Sequence, residues 1–181
     1  MRVRTDEELA QGIQRGYTED LATLVDRHHH ALIGFLFRMG GDRRLAEDLA
    51  QETFVRLMRS IRQYQYPRPF KPWLYAIASN LARDHFKSAD ARYTDALEEA
   101  FEIATEADSA ALSGDEIAQV QDALQSLPTQ QREALVLRYY NDLSLQEIAD
   151  ALHIPVGTVK SRLSLGLGRM KQMLEVENAG R

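Results

Sequence analysis

Apolar residues in this chain recur every three or four positions, and no stretch alternates apolar with polar side chains. Such a pattern gives helices a face to bury and leaves no strands to pair, so the expected class is all-α. Thr5 and Glu8 stand in the S/T-x-x-E order of a capping box ahead of Leu9 and Ile13, and Gly16 closes this short first helix. A second helix starts close to Thr18. Its stripe of Leu21, Leu24, Val25, Leu32, Leu36 and Phe37 ends at Gly40 and Gly41, where Asp42 caps a third helix carrying Leu45, Leu49, Phe54, Leu57, Met58 and Ile61. Residues 63–72 hold three of the five prolines and form an irregular loop. A fourth helix is expected over about residues 72–87, with Trp73, Leu74, Ile77, Ala78 and Leu81 inward. Four helices with short connections make a bundle.

At 181 residues the chain can hold one medium domain or two small ones. Its net charge of −5 argues at first sight against a nucleic-acid partner, but the charge is unevenly spread. Residues 1–88 hold 14 basic and 11 acidic side chains, residues 89–115 hold 1 and 8, and residues 116–181 hold 7 and 8. The acidic stretch is rich in Ala, Asp, Glu, Ser and Thr and loses helical periodicity. It reads as a flexible linker, with at most a helical turn around residues 97–103. Two small helical domains, 1–88 and 116–181, are thus expected on either side of it. With no cysteine, a disulfide framework, a thiolate metal site and a cysteine nucleophile are excluded. The N-terminus lacks a signal-peptide run, and the longest apolar run, residues 31–37, is too short to span a bilayer, so a cytoplasmic location is expected.

The most informative segment is LSLQEIADALHIPVGTVKSRL, residues 143–163. Ser144 and Glu147 form a second capping box, and Ile148, Ala149 and Leu152 share one face. The break at His153, Ile154 and Pro155 is followed by a helix on which Val159 and Leu163 pack back. Thr158, Lys160, Ser161 and Arg162 are polar and lie near the start of that second helix, where a recognition helix meets base edges and phosphates. A structural hairpin needs no such coincidence of cap, break and polar leading face. In the same helix, Gly166 and Gly168 each cost about 1 kcal/mol of helix stability, and the neighbouring Ser164, Leu165 and Leu167 add no charge.

In the first half, residues 45–61 pair a core stripe with an acidic face of Glu47, Asp48, Gln51 and Glu52. Taken alone, such a face can be merely solvated. The loop that follows interleaves Tyr64, Tyr66 and Phe70 with Arg68 and Lys71. Aromatics beside cations suit unpaired nucleic acid, because bases stack and phosphates need neutralising; the alternative is aromatics that close the bundle. Asn80, Arg83 and Lys87 lie outward on the fourth helix. The run His28, His29, His30 points in three directions about 100° apart and gives no convergent metal site. No phosphate loop, nucleophile elbow or supported carboxylate pair is present, so neither catalysis nor a cofactor is expected.

The order of the LAEDLAQETF helix, the aromatic loop, PWLYAIASNLARDHFK, an acidic linker, LPTQQREALVLRYY and the helix-turn-helix resembles bacterial RNA polymerase sigma factors of the sigma-70 family, in particular the extracytoplasmic-function type. The resemblance implies a promoter-specificity factor for core RNA polymerase. Asp48, Gln51 and Glu52 match the surface that holds the clamp of the β′ subunit. Tyr64, Tyr66, Arg68, Phe70 and Lys71 match the loop that captures a base flipped from the minus-ten element, and Asn80, Arg83 and Lys87 match the helix face along that element. Pro155, Thr158, Lys160, Ser161 and Arg162 match the helix that reads duplex minus-thirty-five DNA, while the second domain sits on the β flap. The resemblance also implies an anti-sigma protein as a partner, and a linker that runs through the nucleic-acid channel of the polymerase; composition alone reads the linker as a solvated spacer. The rival reading is an ordinary helix-turn-helix activator or repressor, which predicts a sensory or dimerising first half.

Overall fold

The computed structural model describes residues 3–90 and 114–180, and among them the chain is eight α-helices with one short 3-10 turn and no strand. The helices are α1 (Asp6–Gln14), α2 (Glu19–Gly40), α3 (Arg43–Ser60), α4 (Phe70–Asp90), α5 (Gly114–Gln125), α6 (Thr129–Tyr139), α7 (Leu145–Leu152) and α8 (Val156–Ala179), with the 3-10 turn at Ile61–Gln63. Apart from its two ends, the acidic segment 89–115, including the turn expected around 97–103, lies outside the described residues.

The expected start and stop signals act as physical caps. The Thr5 side chain accepts from the Glu8 amide while the Glu8 carboxylate accepts from the Thr5 amide at 2.9 Å. Gly41 ends α2 at φ 76°, a conformation that only glycine adopts without strain, and the Asp42 carboxylate takes the Leu45 amide at 3.1 Å. Helix α4 begins two residues earlier than its proline suggests. Pro72 falls in the first turn, where a missing N–H breaks no intrahelical bond, and the Phe70 amide is taken by the Glu7 carboxylate at 3.0 Å.

In the first half α2 packs on α3 and α4, and α1 closes over α2; in the second, α8 gathers α5, α6 and α7. Phe35 and Tyr75, both fully buried, meet edge to face with ring centroids 5.3 Å apart. Each buried Leu of this core contributes about 1.5–3 kcal/mol. Gly166 corrects a sequence expectation. A Cβ there would stand 2.9 Å from Leu135 Cδ1, so this glycine lets α8 approach α6, and only Gly168, with open space around it, carries its helix cost uncompensated.

The two domains expected on either side of the linker pack against each other. Helix α4 lies on α7, and α2 on α5 and α6. The last carbonyls of α2 are the fastening points, since a helix end leaves such groups without intrahelical partners. Gln125 donates to the Arg38 carbonyl at 2.7 Å, Arg132 donates to the Met39 carbonyl, and the Arg38 guanidinium lies 3.9 Å above the Tyr140 ring. Buried Asn141 donates to the Tyr75 hydroxyl at 2.7 Å and to the Ala31 carbonyl at 3.3 Å.

Candidate nucleic-acid and partner interfaces

The helix-turn-helix forms as its sequence dictates. Ser144 and Glu147 cap α7 reciprocally, at 2.7 and 3.1 Å. His153 then turns the chain at φ 54°, and the Ile154 amide closes the turn on the Ala149 carbonyl at 3.1 Å. A non-glycine residue in the left-handed region was not foreseen, although histidine is among the residues that tolerate it. Pro155 opens α8, accepting from the Thr158 and Val159 amides. Ile148, Leu152, Val159 and Leu163 are buried between the two helices. That leaves Lys160 and Ser161 exposed on the leading turns of α8, with Thr158 and Arg162 half-buried beside them. These side chains stand at the positive end of the helix dipole, where anionic ligands are favoured.

The loop before α4 is irregular, as its prolines dictate, and it divides its aromatics between the two readings that the sequence leaves open. Tyr64 and Phe70 are buried, 5% and 0% exposed, in an aromatic cluster with Trp73, with ring centroids 5.2 to 6.1 Å apart. Both take the second of the two roles open to them, closing the bundle as the floor of the loop, because their apolar area is worth more inside it than on its surface. The Tyr64 hydroxyl donates to the Arg68 carbonyl, and burial, aided by Glu7, pushes its pKa up to about 12. Of the aromatic and basic residues assigned to the loop, Tyr66, 46% exposed, and Arg68 face solvent. Lys71 donates to the Asn141 carbonyl in the other half.

On α4, Asn80 is exposed and accepts from the Arg83 guanidinium at 2.8 Å. Arg83 also stands 3.7 Å from Glu133 of α6, whose side chain is 1% exposed. Burial raises the Glu133 pKa above the ordinary carboxylate range, with Arg83, Ser79 and Arg162 acting in the opposite sense. Glu133 carries no special mark in the sequence, and only its place on the inward face of α6 exposes its role. The side chain of Lys87 lies outside the described residues. Between the Tyr64 loop and the helix-turn-helix break lies a cavity of about 720 Å³, lined among others by Gln65, Arg68, Trp73, Asp150, His153 and Pro155.

The acidic face of α3 borders a groove of about 780 Å³ against α2. Glu47, Asp48 and Gln51 line one edge, while Leu21, Val25, Ile33, Phe54, Val55 and Met58 supply apolar lining. Glu52 lies outside this lining and pairs with Arg56 at 2.9 Å, as Glu47 does with Arg43 at 3.2 Å. The apolar part of the groove was not anticipated, since the same leucines and valines also fit a plain core stripe. Of the three histidines, His29 and His30 meet edge to face with ring centroids 5.7 Å apart, and His28 turns elsewhere. His28 bonds the Asp6 carboxylate at 2.6 Å and His29 lines the groove. Among the described residues no group of three His, Cys, Asp or Glu could hold a metal ion, and no helix is long and apolar enough to cross a membrane.

Comparison with known proteins matches the Sigma-70 region 2 family to residues 24–92 and the Sigma-70, region 4 family to residues 115–170. RNA polymerase sigma-H factor of Pseudomonas aeruginosa is 34% identical over 87% of this chain and 88% of its own length. The ECF RNA polymerase sigma factor SigW of Bacillus subtilis is 32% identical over 90% and 92%. Among solved structures, CnrH in complex with the cytosolic domain of CnrY superposes with a TM-score of 0.73 at 26% identity, covering 94% of this chain and 97% of that one.

Proposed function

We propose a division of labour between the two halves of this chain, which belongs to the sigma-70 family as an extracytoplasmic-function RNA polymerase sigma factor and directs promoter-specific initiation of transcription. Residues 1–88 hold core polymerase and the minus-ten element, residues 116–181 read the minus-thirty-five element and dock on the β flap, and residues 89–115 join them. The carrying observation is the presence, in one chain and in this order, of both matched regions. An ordinary activator or repressor has no need of the first.

Asp48, Gln51 and Glu52 take the β′ clamp, supported by the groove whose acidic edge offers carboxylates and whose lining offers apolar surface to a partner helix. Pro155, Thr158, Lys160, Ser161 and Arg162 read duplex DNA, supported by the place of Pro155 just before α8 and of the other four on its leading turns. Tyr66, Arg68 and Lys71 meet the melted minus-ten strand over the floor made by Tyr64 and Phe70, and Asn80, Arg83 and Lys87 follow that strand along α4. Unstacking a base costs a few kcal/mol, and stacking plus phosphate contacts on the captured strand return it. The chain acts as a non-catalytic specificity subunit in the bacterial cytoplasm. Its likeness to CnrH supports a protein partner of the kind that the cytosolic domain of CnrY is to CnrH.

Run-off transcription tests this reading. Core polymerase with this chain initiates at a defined promoter; a band shift on duplex DNA alone, with core polymerase left inactive, would show the repressor reading to be right.

A further inference from the structure

Helix α1 lies outside both matched regions, the first of which starts at residue 24. Yet the loop of residues 64–69 is tied to it at both ends. At the entry, the Gln14 side-chain amide donates to the carbonyls of Ile61 and Tyr64, each at 2.8 Å. At the exit, the Glu7 carboxylate accepts the amide of Phe70, the first residue of α4, at 3.0 Å. Glu7 and Gln14 are seven residues apart, so they share one face of α1 two turns apart, about 10 Å along its axis. Helix α1 is itself fixed, because Leu9, Ala10 and Ile13 are buried, and Asp6 bonds His28, whose ring lies 5.5 Å from that of Phe70. Without Gln14, two carbonyls at the loop entry lose a shared donor; without Glu7, α4 loses the acceptor for its first amide.

We propose that α1 is a splint for the minus-ten loop, with Glu7 and Gln14 as positioning residues for base capture. This rests on the reading of that loop as the base trap. A capture pocket works only when its walls are held near the bound geometry before the base arrives, since ordering them afterwards weakens binding. The splint fixes the span between Tyr64 and Phe70, and hence where Tyr66 and Arg68 stand.

The test uses holoenzyme, reconstituted from core polymerase and the full chain, on fork-junction promoter DNA in which each minus-ten base in turn is replaced by an abasic site. At the captured position the unmodified chain binds the intact base about tenfold more tightly than the abasic site. Glu7→Ala and Gln14→Ala each lower that ratio about threefold or more while affinity for the abasic DNA stays within about twofold. Glu7→Gln, which keeps an acceptor oxygen, restores the ratio; Gln14→Glu, which sets a carboxylate against two carbonyls, does not. If the unmodified chain shows no base preference at any position, the trap reading fails and takes the splint with it. If it shows the preference and the alanine variants keep it, or if they lose affinity for base and abasic DNA equally, the splint alone is refuted.

Discussion

The Arg83 guanidinium of α4 stands 3.7 Å from the Glu133 carboxylate of α6, so a cation assigned to the promoter faces a carboxylate from the other half of the chain. The partners are unequal, with Glu133 1% and Arg83 32% exposed. Burial without full compensation raises the Glu133 pKa. For an acid this direction means that the folded chain holds its proton more tightly than the unfolded one. The resulting cost is absent below the ordinary value of 4.5 and present in full above the raised one. Glu133→Gln removes the cost, while Arg83 can turn to water. The variant is therefore expected to melt higher at pH 7 by roughly 2–4 °C, about 1 kcal/mol in a chain of this size. Its advantage over the unmodified chain shrinks as pH falls toward 4.5, as thermal melts by circular dichroism would record. A variant that melts lower at pH 7 would show that the pair is net stabilising.

The same contact bears on promoter binding. Helices α4 and α7 pack directly, and packed helices lie about 8–10 Å apart, whereas elements centred near minus ten and minus thirty-five are roughly 80 Å apart at 3.4 Å per base step. Under the division of labour proposed above, the halves part to occupy both. The chain has no cysteine, so Asp84→Cys with Gln172→Cys gives a doubly labelled protein with no other reactive thiol. Energy transfer between dyes on these sites is expected to be lower in the holoenzyme–promoter complex than in the free chain. Unchanged transfer would mean that the elements are reached without separation.

The helix caps, the proline loop and the break at His153 were legible because each is a local signal. Thr5, Asp42 and Ser144 act on amides three residues away. The packing between halves was not legible. It runs through Asn141 to Tyr75, 66 residues distant, and through buried Glu133, neither of which carries a pattern of its own. Tyr64 and Phe70 show the limit at the site itself, since an aromatic beside a cation looks the same in sequence whether it stacks on a base or on Trp73.

Clamp binding can be separated from folding. The double variant Asp48→Lys with Glu52→Lys reverses charge on the outer face of α3, where Asp48 is exposed and Glu52 half-buried. Pull-down of core polymerase is expected to be lost while helicity is kept, apart from the few tenths of a kcal/mol of the Arg56 pair. Retained pull-down would move the polymerase site elsewhere.

On α8, Lys160→Ala and Arg162→Ala are each expected to weaken promoter binding by about 1–3 kcal/mol where the side chain reads a base, and to lower the salt slope by about one where it meets a phosphate. Footprints titrated against salt distinguish the two. Unchanged occupancy would remove that residue from the interface. Arg162 also acts on Glu133 electrostatically, so its loss has a second expected effect, a small fall in melting temperature that Lys160→Ala lacks.

Two glycines separate intrinsic propensity from packing. Gly168→Ala meets open space and is expected to stabilise the chain by about 1 kcal/mol, since alanine is the better helix former. Gly12→Ala gains the same propensity but places a Cβ 1.7 Å from the Asp20 carboxylate, which the Arg4 guanidinium holds at 2.5 and 2.8 Å. Displacing a buried, paired carboxylate outweighs the gain, and a net loss of about 2 kcal/mol or more is expected. Because α1 would shift with it, Gly12→Ala should also loosen the loop that Glu7 and Gln14 tie down, seen as faster amide exchange at Phe70. A Gly12→Ala chain as stable as the parent, with Phe70 equally protected, would show that α1 accommodates the methyl group without disturbing the loop.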